Sequence, residues 1–235
     1  MTVSAGTVKN EIRTKALDLT VVIPTLNAAL HLPPTLATFG PVRDLIVADG
    51  GSADDTIAVA TGLGARVVQA PLGRGAQIAA GVAAAPEGWL LILHADTRLA
   101  PDWRSAAVAH MVAGSARAAC FRFALDSDSP QARRLERAVA WRCRYLALPY
   151  GDQGLLIHTD LLRQVGGVRP LPLMEDVDLI RRIGRHRLAM LPPAAITSAE
   201  KWRRDGWWRR SARNLTCLGL WFLGVPPRWI ARVYG

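Results

Sequence analysis

Three apolar, β-rich runs that each close on a polar cluster constrain this chain more than anything else in it. They are LTVVIPTLN at residues 19–27, DLIVADGGSADDT at 44–56 and WLLILHADTRL at 89–99. Runs of this length and composition form strands. Strand-like segments at 19–23, 45–48, 66–70 and 89–93 alternate with helix-like segments at 28–38, 54–63 and 76–85. That order builds a parallel sheet with helices on its faces. In such an open sheet, ligands bind at the carboxyl edge of the strands. Thr25, Asp49 and Asp96 are therefore expected to gather along one edge.

Beyond residue 100 the pattern predicts a helix at 103–112, a strand at 118–125 and a basic helix at 130–146 that ends before Pro149. A short strand at 155–158 follows the turn Gly151-Asp152-Gln153-Gly154, and a further helix runs from about 175 to 183. The last stretch is dense in Arg and Trp, KWRRDGWWRRSARN, and leads into LTCLGLWFLGV and PPRWIARVYG. We expect one or two amphipathic helices there. The resulting division is a short mobile lead-in over 1–18, a single domain over 19–200 with halves at 19–100 and 101–200, and a helical tail over 201–235.

With 235 residues, half of them hydrophobic, the chain can bury one substantial core and is too apolar to be disordered. A net charge of +10 suggests an anionic partner, whether a nucleoside diphosphate, an anionic membrane surface or nucleic acid. Cys120, Cys143 and Cys217 are odd in number and lack metal-ligand spacing, so a reducing cytoplasm is expected rather than a disulfide framework. The first residues lack the apolar centre of a signal peptide. The apolar run at 215–225 falls well short of the roughly 20 residues a bilayer span needs.

Local chemistry leaves alternatives at several of these positions. Asp49 before Gly50-Gly51-Ser52 can accept from a nucleobase N–H or a ribose hydroxyl, or can simply shape its own turn. Gly73-Arg74-Gly75 ahead of an Ala-rich helix is either a phosphate cradle or a surface turn. Glu175-Asp176 supplies either a general base or an acidic first turn that complements the helix dipole, and for Asp178 the dipole role is preferred. His158 and Tyr150 read as structural.

These strings, with GRGAQ at 73–77 and MEDVDL at 174–179, resemble the nucleotide-sugar-binding half of family 2 glycosyltransferases of the GT-A fold. The likeness runs from about residue 19 to about residue 191. It implies a Rossmann-like, mixed but mainly parallel sheet with helices on both faces, the 19–100 half binding the nucleotide sugar and the 101–200 half the acceptor. It also implies transfer of a sugar, with inversion, from a nucleotide-diphosphate donor to a hydroxyl acceptor. By position, the resemblance places the donor on Pro24, Thr25, Asn27, Asp49, Gly50, Gly51, Ser52, Gly73, Arg74, Gln77, His94, Ala95 and Asp96.

Magnesium or manganese would be held by Asp96 together with the donor phosphates, since hard cations take oxygen ligands. His94 stands where the family usually has the first acidic residue of Asp-x-Asp, which puts that residue's ribose contact in doubt. Asp176 takes the place of the catalytic base, and Glu175 orients it or contacts the acceptor. Asp152, in the GDQG turn, either binds an acceptor hydroxyl or only shapes that turn; Gln153 and Trp202 are assigned to the acceptor side with it. LHADTRL, GDQG and MEDVDL are similar to a short bacterial subgroup labelled arsenosugar-biosynthesis glycosyltransferases.

Two other readings compete. A sugar-nucleotide nucleotidyltransferase of similar fold would carry a glycine-rich basic loop after the first strand, where this chain has TLNAALHLPPT. A non-catalytic basic module for membrane or nucleic acid is disfavoured by carboxylates at strand ends, which repel phosphates unless a metal intervenes; no nucleic-acid partner is expected. For the tail, covering the active site ranks ahead of peripheral contact with an anionic membrane, which would put the protein at the inner face of the membrane.

Overall fold

The structure, a computed structural model, describes residues 15–234. The strands are β1 (Leu17–Thr25), β2 (Val42–Asp49), β3 (Arg66–Gln69), β4 (Trp89–Ile92), β5 (Thr97–Leu99), β6 (Ala118–Leu125), β7 (Leu155–His158) and β8 (Leu188–Thr197). They form one sheet in the order β3-β2-β1-β4-β7-β6-β8-β5. The first four are mutually parallel, while β7 runs antiparallel to both β4 and β6. Farther along, β8 lies parallel to β6 and β5 antiparallel to β8. The fold is the mixed, mainly parallel α/β class that the family resemblance implies, whereas strand–helix alternation alone predicts only its parallel part.

Among the described residues ten helices accompany the sheet: α1 (Leu32–Leu36), α2 (Thr56–Gly62), α3 (Arg74–Ala84), α4 (Trp103–Val112), α5 (Pro130–Leu146), α6 (Thr159–Gln164), α7 (Glu175–Ile183), α8 (Glu200–Asp205), α9 (Trp207–Phe222) and α10 (Pro227–Tyr234). Side chains alternate across a strand, and β1 shows the consequence. Leu19, Val21 and Ile23 enter one core with Leu32, Phe39, Trp103 and Ala107, while Val22 enters another with Ile78, Val177, Ile180 and Leu218. Both faces are therefore buried, as parallel strands require. A third apolar cluster joins Phe123, Leu125, Val139 and Cys143 to Ala199 and Trp202, and so fastens the tail to the domain.

Several expectations need correction. The first helix spans only five residues instead of 28–38, because Pro33 and Pro34 lack amide hydrogens and fit only its first turn. Residues 1–14 of the expected lead-in lie outside the described residues, and β1 begins at Leu17. The tail holds three helices, not one or two, and α8 starts at Glu200, across the expected boundary.

Two strands had no counterpart in the sequence reading. β5 has three residues. β8 contains Pro192-Pro193, and its pairing with β6 jumps from Phe121↔Leu191 to Arg122↔Ala194. The prolines thus occupy a bulge, the one place inside a sheet that tolerates their missing donors.

Candidate active site

β1, β2 and β4 end side by side, with Thr25 in register with Asp49 and Val22 with Ile92. Asp49 is almost wholly buried, at 1% exposure. Its carboxylate accepts from the hydroxyls of Thr25 (3.1 Å) and Ser52 (2.5 Å) and from the amides of Gly51 (2.9 Å) and Ser52 (2.8 Å). Burial works against its charge, but the bonds from Ser52, Gly51 and Thr25 outweigh that and lower its pKa. These four bonds fill the carboxylate's lone pairs. A ligand contact at Asp49 therefore requires one of them to exchange.

Asn27, in the left-handed region at φ 49°, ties the same edge together. Its Oδ1 accepts from Ala53 N and its amide donates to Ser52 Oγ. Pro24 is buried in β1 beside Ala48 of β2.

Gln77 belongs to the framework, which corrects its assignment to the donor. Its amide donates to the carbonyls of Thr25 and Ala48, and the residue is 4% exposed. Gly50 serves the same tie, since a Cβ there would stand 2.7 Å from Gln77 Nε2. Gly51 and Gly73 both have positive φ and open space where a Cβ would go. Gly75 lies so close to Leu171 that a Cβ would meet that residue's carbonyl oxygen at 2.5 Å. The start of α3 is thereby held against the loop that leads to α7.

A polar cavity of about 160 Å³ opens beyond β4. Arg74, His94, Asp96, Asp152, Asp176 and Lys201 all line it. Ala95 sits between His94 and Asp96, and its carbonyl accepts from Thr35 Oγ1 at 2.7 Å. Lys201 Nζ is 2.9 Å from Asp96 Oδ2. Burial opposes the Asp96 charge, yet Lys201 and His94 lower its pKa overall. His94 is pushed down to about 4, first by burial and then by Arg74, so its imidazole is neutral at pH 7.

Asp176 is held by amides from both sides: Gly151 N donates to Oδ2 and Val177 N to Oδ1, each at 2.8 Å. Two lone pairs remain for other work. Gly151 must be glycine, because a Cβ would come within 2.6 Å of His94 Nε2 and 3.4 Å of Asp176 Oδ2.

Glu175 is buried and ion-paired with Arg74. Burial raises its pKa, Arg74 offsets part of that, and Asp176 adds to it; its Oε2 has no hydrogen-bond partner. The preceding Met174 holds φ 66°, a left-handed geometry that costs a non-glycine residue about 1 kcal/mol or more and sets the angle at which α7 enters the cavity. Asp178 is a structural clamp, bonded to Arg182 and Arg169.

On the expected acceptor side, Asp152 and Trp202 line the cavity but Gln153 does not. Gln153 is 1% exposed; its amide donates to Phe121 O, while its Oε1 accepts from Cys143 Sγ and Tyr150 N. That bonding pins the turn and removes Gln153 from reach of an acceptor. Asp152 has a buried Oδ1 with no partner, and its pKa rises to about 6, chiefly through burial, with Arg142 pulling it down and Asp176 pushing it up.

Sequence reasoning missed Lys201, Asn214 and Tyr234 and reached Arg210 only as one of several arginines in the tail; all four are on the cavity wall. The only signal was the Arg/Trp density of the tail, which does not single out individual residues. Among the described residues no cluster of three or more His, Cys, Asp or Glu side chains stands ready for a metal. Nor is any helix there long and apolar enough to cross a membrane.

Comparison with known proteins bears on the same elements. The family model for glycosyl transferase family 2 matches residues 20–166. Glucosyl-3-phosphoglycerate synthase from Mycobacterium tuberculosis, solved with Mn2+ and UDP-glucose, has a similar fold. That structure is 20% identical over 96% of this chain and 85% of that one, with a TM-score of 0.61. Its complex with Mn2+, UDP and phosphoglyceric acid gives 0.55 at 19% identity, covering 84% and 74%. S. aureus TarS 1–349 gives 0.61 at 15% identity, covering 86% of this chain and 65% of that one. A search of curated protein sequences finds no significant match. Identities this low speak to the fold, which is GT-A. The family model reaches further, spanning more than half of the chain from β1 to the end of α6 and stopping short of Glu175 and Asp176, and this chain belongs to glycosyl transferase family 2.

Proposed function

We propose that the protein is an inverting, metal-dependent glycosyltransferase that moves a sugar from a nucleotide-diphosphate donor to a hydroxyl acceptor. The observation that carries this reading is the placement of Asp96 and Asp176 on one cavity wall system, from strand end and helix start respectively, in a family 2 chain. Direct displacement at an anomeric carbon needs a carboxylate that takes the attacking hydroxyl's proton on the face opposite the departing diphosphate. Asp176, fixed by two amides yet with lone pairs free, is suited to that role.

Arg74 and Lys201 supply positive charge in the same cavity for the diphosphate. Glu175 holds Arg74 in place and is a positioning residue. His94, neutral at pH 7, offers a hydrogen bond but no charge.

The donor set fits a divalent cation brought in by a diphosphate, not one bound by protein alone, because no three ligating side chains cluster among the described residues and Asp96 itself is paired with Lys201. Magnesium or manganese held there by Asp96 would neutralise charge on the departing diphosphate. When it binds, Lys201 must give up or share Asp96 Oδ2. The printed complexes of the similar synthase with Mn2+ and UDP-glucose make uridine nucleotides the first donors to try.

The likeness of LHADTRL, GDQG and MEDVDL to the arsenosugar-biosynthesis subgroup supplies a family label and no acceptor. We place the protein in the cytoplasm, with any membrane contact peripheral. Incubating it with a panel of nucleotide sugars and manganese, and following free nucleoside diphosphate over time, tests the reading. Release that is lost in Asp176→Asn supports it, and no release from any donor sinks it.

A further inference from the structure

A second space, of about 550 Å³, lies between α5 and α9 and is more than three times the size of the polar cavity. Its walls are apolar: Leu135, Val139, Trp141, Trp207, Leu215 and Leu218 are among its lining residues. Exposed apolar side chains dominate the rim, with Trp141, Leu146, Trp208 and Leu215 exposed at 57%, 55%, 78% and 66%, beside the exposed Gln131 and Arg134. Exposed apolar groups concentrated around one opening mark a binding surface rather than chance.

The groove does not stand apart from the polar cavity. Tyr150, Asp152, Trp202 and Asn214 line both. At that junction Asp152 Oδ1 and Asn214 Oδ1 are buried acceptors without partners. Buried acceptors left unpaired are costly and call for a donor. Apolar walls on one side, and unpaired acceptors where those walls meet the base, describe a hydroxyl carried on a hydrocarbon chain.

Resting on the transferase reading above, we propose that the groove between α5 and α9 holds the apolar chain of the acceptor, which is an amphipathic alcohol with its hydroxyl at the Asp152 junction. The continuity of groove and cavity fixes the occupant as the acceptor itself. A chain lying there delivers its terminal oxygen to the cavity that holds Asp176.

Calorimetric titration of the full chain with a series of 1-alkanols, from butanol to decanol, tests this without knowing the natural acceptor. Affinity should rise about fourfold per added methylene. Ala138→Trp, a wedge at an exposed position of α5 that lines the groove, and Leu215→Asp at the rim should each weaken decanol binding by about tenfold or more. Both variants should still bind UDP with manganese as the wild type does, which shows that they are folded. If manganese–UDP binding is intact and alkanol affinity is flat with chain length, the inference falls while the transferase reading stands. Alkanol binding that lengthens normally in a protein unable to bind any nucleoside diphosphate removes the transferase reading and the acceptor assignment with it. Flotation with phosphatidylglycerol vesicles without chain-length dependence also overturns the proposal, because the exposed tryptophans would then serve a bilayer surface.

Discussion

Asp152→Asn should change how stability depends on pH, and the size of that change follows from where the carboxylate sits. Asp152 lies at the junction of the cavity and the apolar groove, its Oδ1 buried without a partner. Burial is the main reason its pKa climbs from 3.8 to about 6. A folded-state value above the unfolded one means that the native protein holds a proton the unfolded chain has released. The resulting stabilisation is complete below about pH 4 and disappears as pH rises through about 6. At 1.36 kcal/mol per pH unit the difference amounts to about 3 kcal/mol. Asparagine cannot ionise and so escapes this loss.

Urea unfolding of the unliganded wild type and Asp152→Asn near pH 4 and near pH 7.5 gives the comparison. The variant should gain on the wild type by about 2.4 kcal/mol between the two conditions, slightly under the full difference because the unfolded carboxyl is already partly ionised at pH 4, whatever fixed cost the amide itself carries. Carboxylates remote from Asp152 contribute alike to both proteins and cancel. An identical stability difference at the two pH values would show that Asp152 is ionised in the folded state with an ordinary pKa, and the argument from burial would be wrong.

Four further outcomes are expected. Asp176→Asn should keep donor affinity near normal and lower turnover by roughly two to four orders of magnitude, measured as diphosphate release with a working acceptor; near-normal turnover would move the base to Asp152 or Glu175. Asp96→Asn should abolish the gain in UDP affinity that manganese brings, and calorimetry showing equal affinity with and without manganese in the wild type would refute the metal assignment. Gly75→Ala should lower unfolding stability by roughly 1–3 kcal/mol, because its Cβ would meet Leu171 backbone rather than a movable side chain. Removing residues 198–235 strips Trp202, Cys217, Leu218 and Ile230 from buried positions; the melting temperature should fall together with activity, and an unchanged melting temperature would make the tail a mere appendage.

What the sequence revealed and what it hid divide along the range of the interactions involved. Strands β1, β2 and β4 and the polar residues after them are legible because each string contains both the apolar run and the polar cluster that ends it. Asp49 and Asp96 therefore come with their own addresses. Local strings could not show that Gln77 reaches back to the carbonyls of Thr25 and Ala48, or that Gln153 turns inward to Phe121. Either glutamine reads equally well as a ligand contact until the partner strand is in place. β8 was hidden for a different reason. Pro192-Pro193 argues against a strand, and only the register jump against β6 shows the bulge that admits them.

The charge count misleads in a similar way, and correcting it sharpens where an anion can bind. The tail's arginines suggested a broad cationic surface. Asp205, however, takes hydrogen bonds from Arg204 at 2.9 Å, Arg210 at 2.8 Å and Arg213 at 3.0 Å. Arg204 first, with Arg210 and Arg213, holds that carboxylate down at about 2, so it stays charged across the physiological range. Arg210 also packs over Trp202 and reaches Tyr234 Oη at 3.3 Å. Part of the positive charge of the tail is thus used in fixing α8, α9 and α10 to one another and in shaping the cavity wall. Under the proposed function, the cations left for a diphosphate are Lys201, which would trade Asp96 for it, and Arg74, which Glu175 steadies from behind.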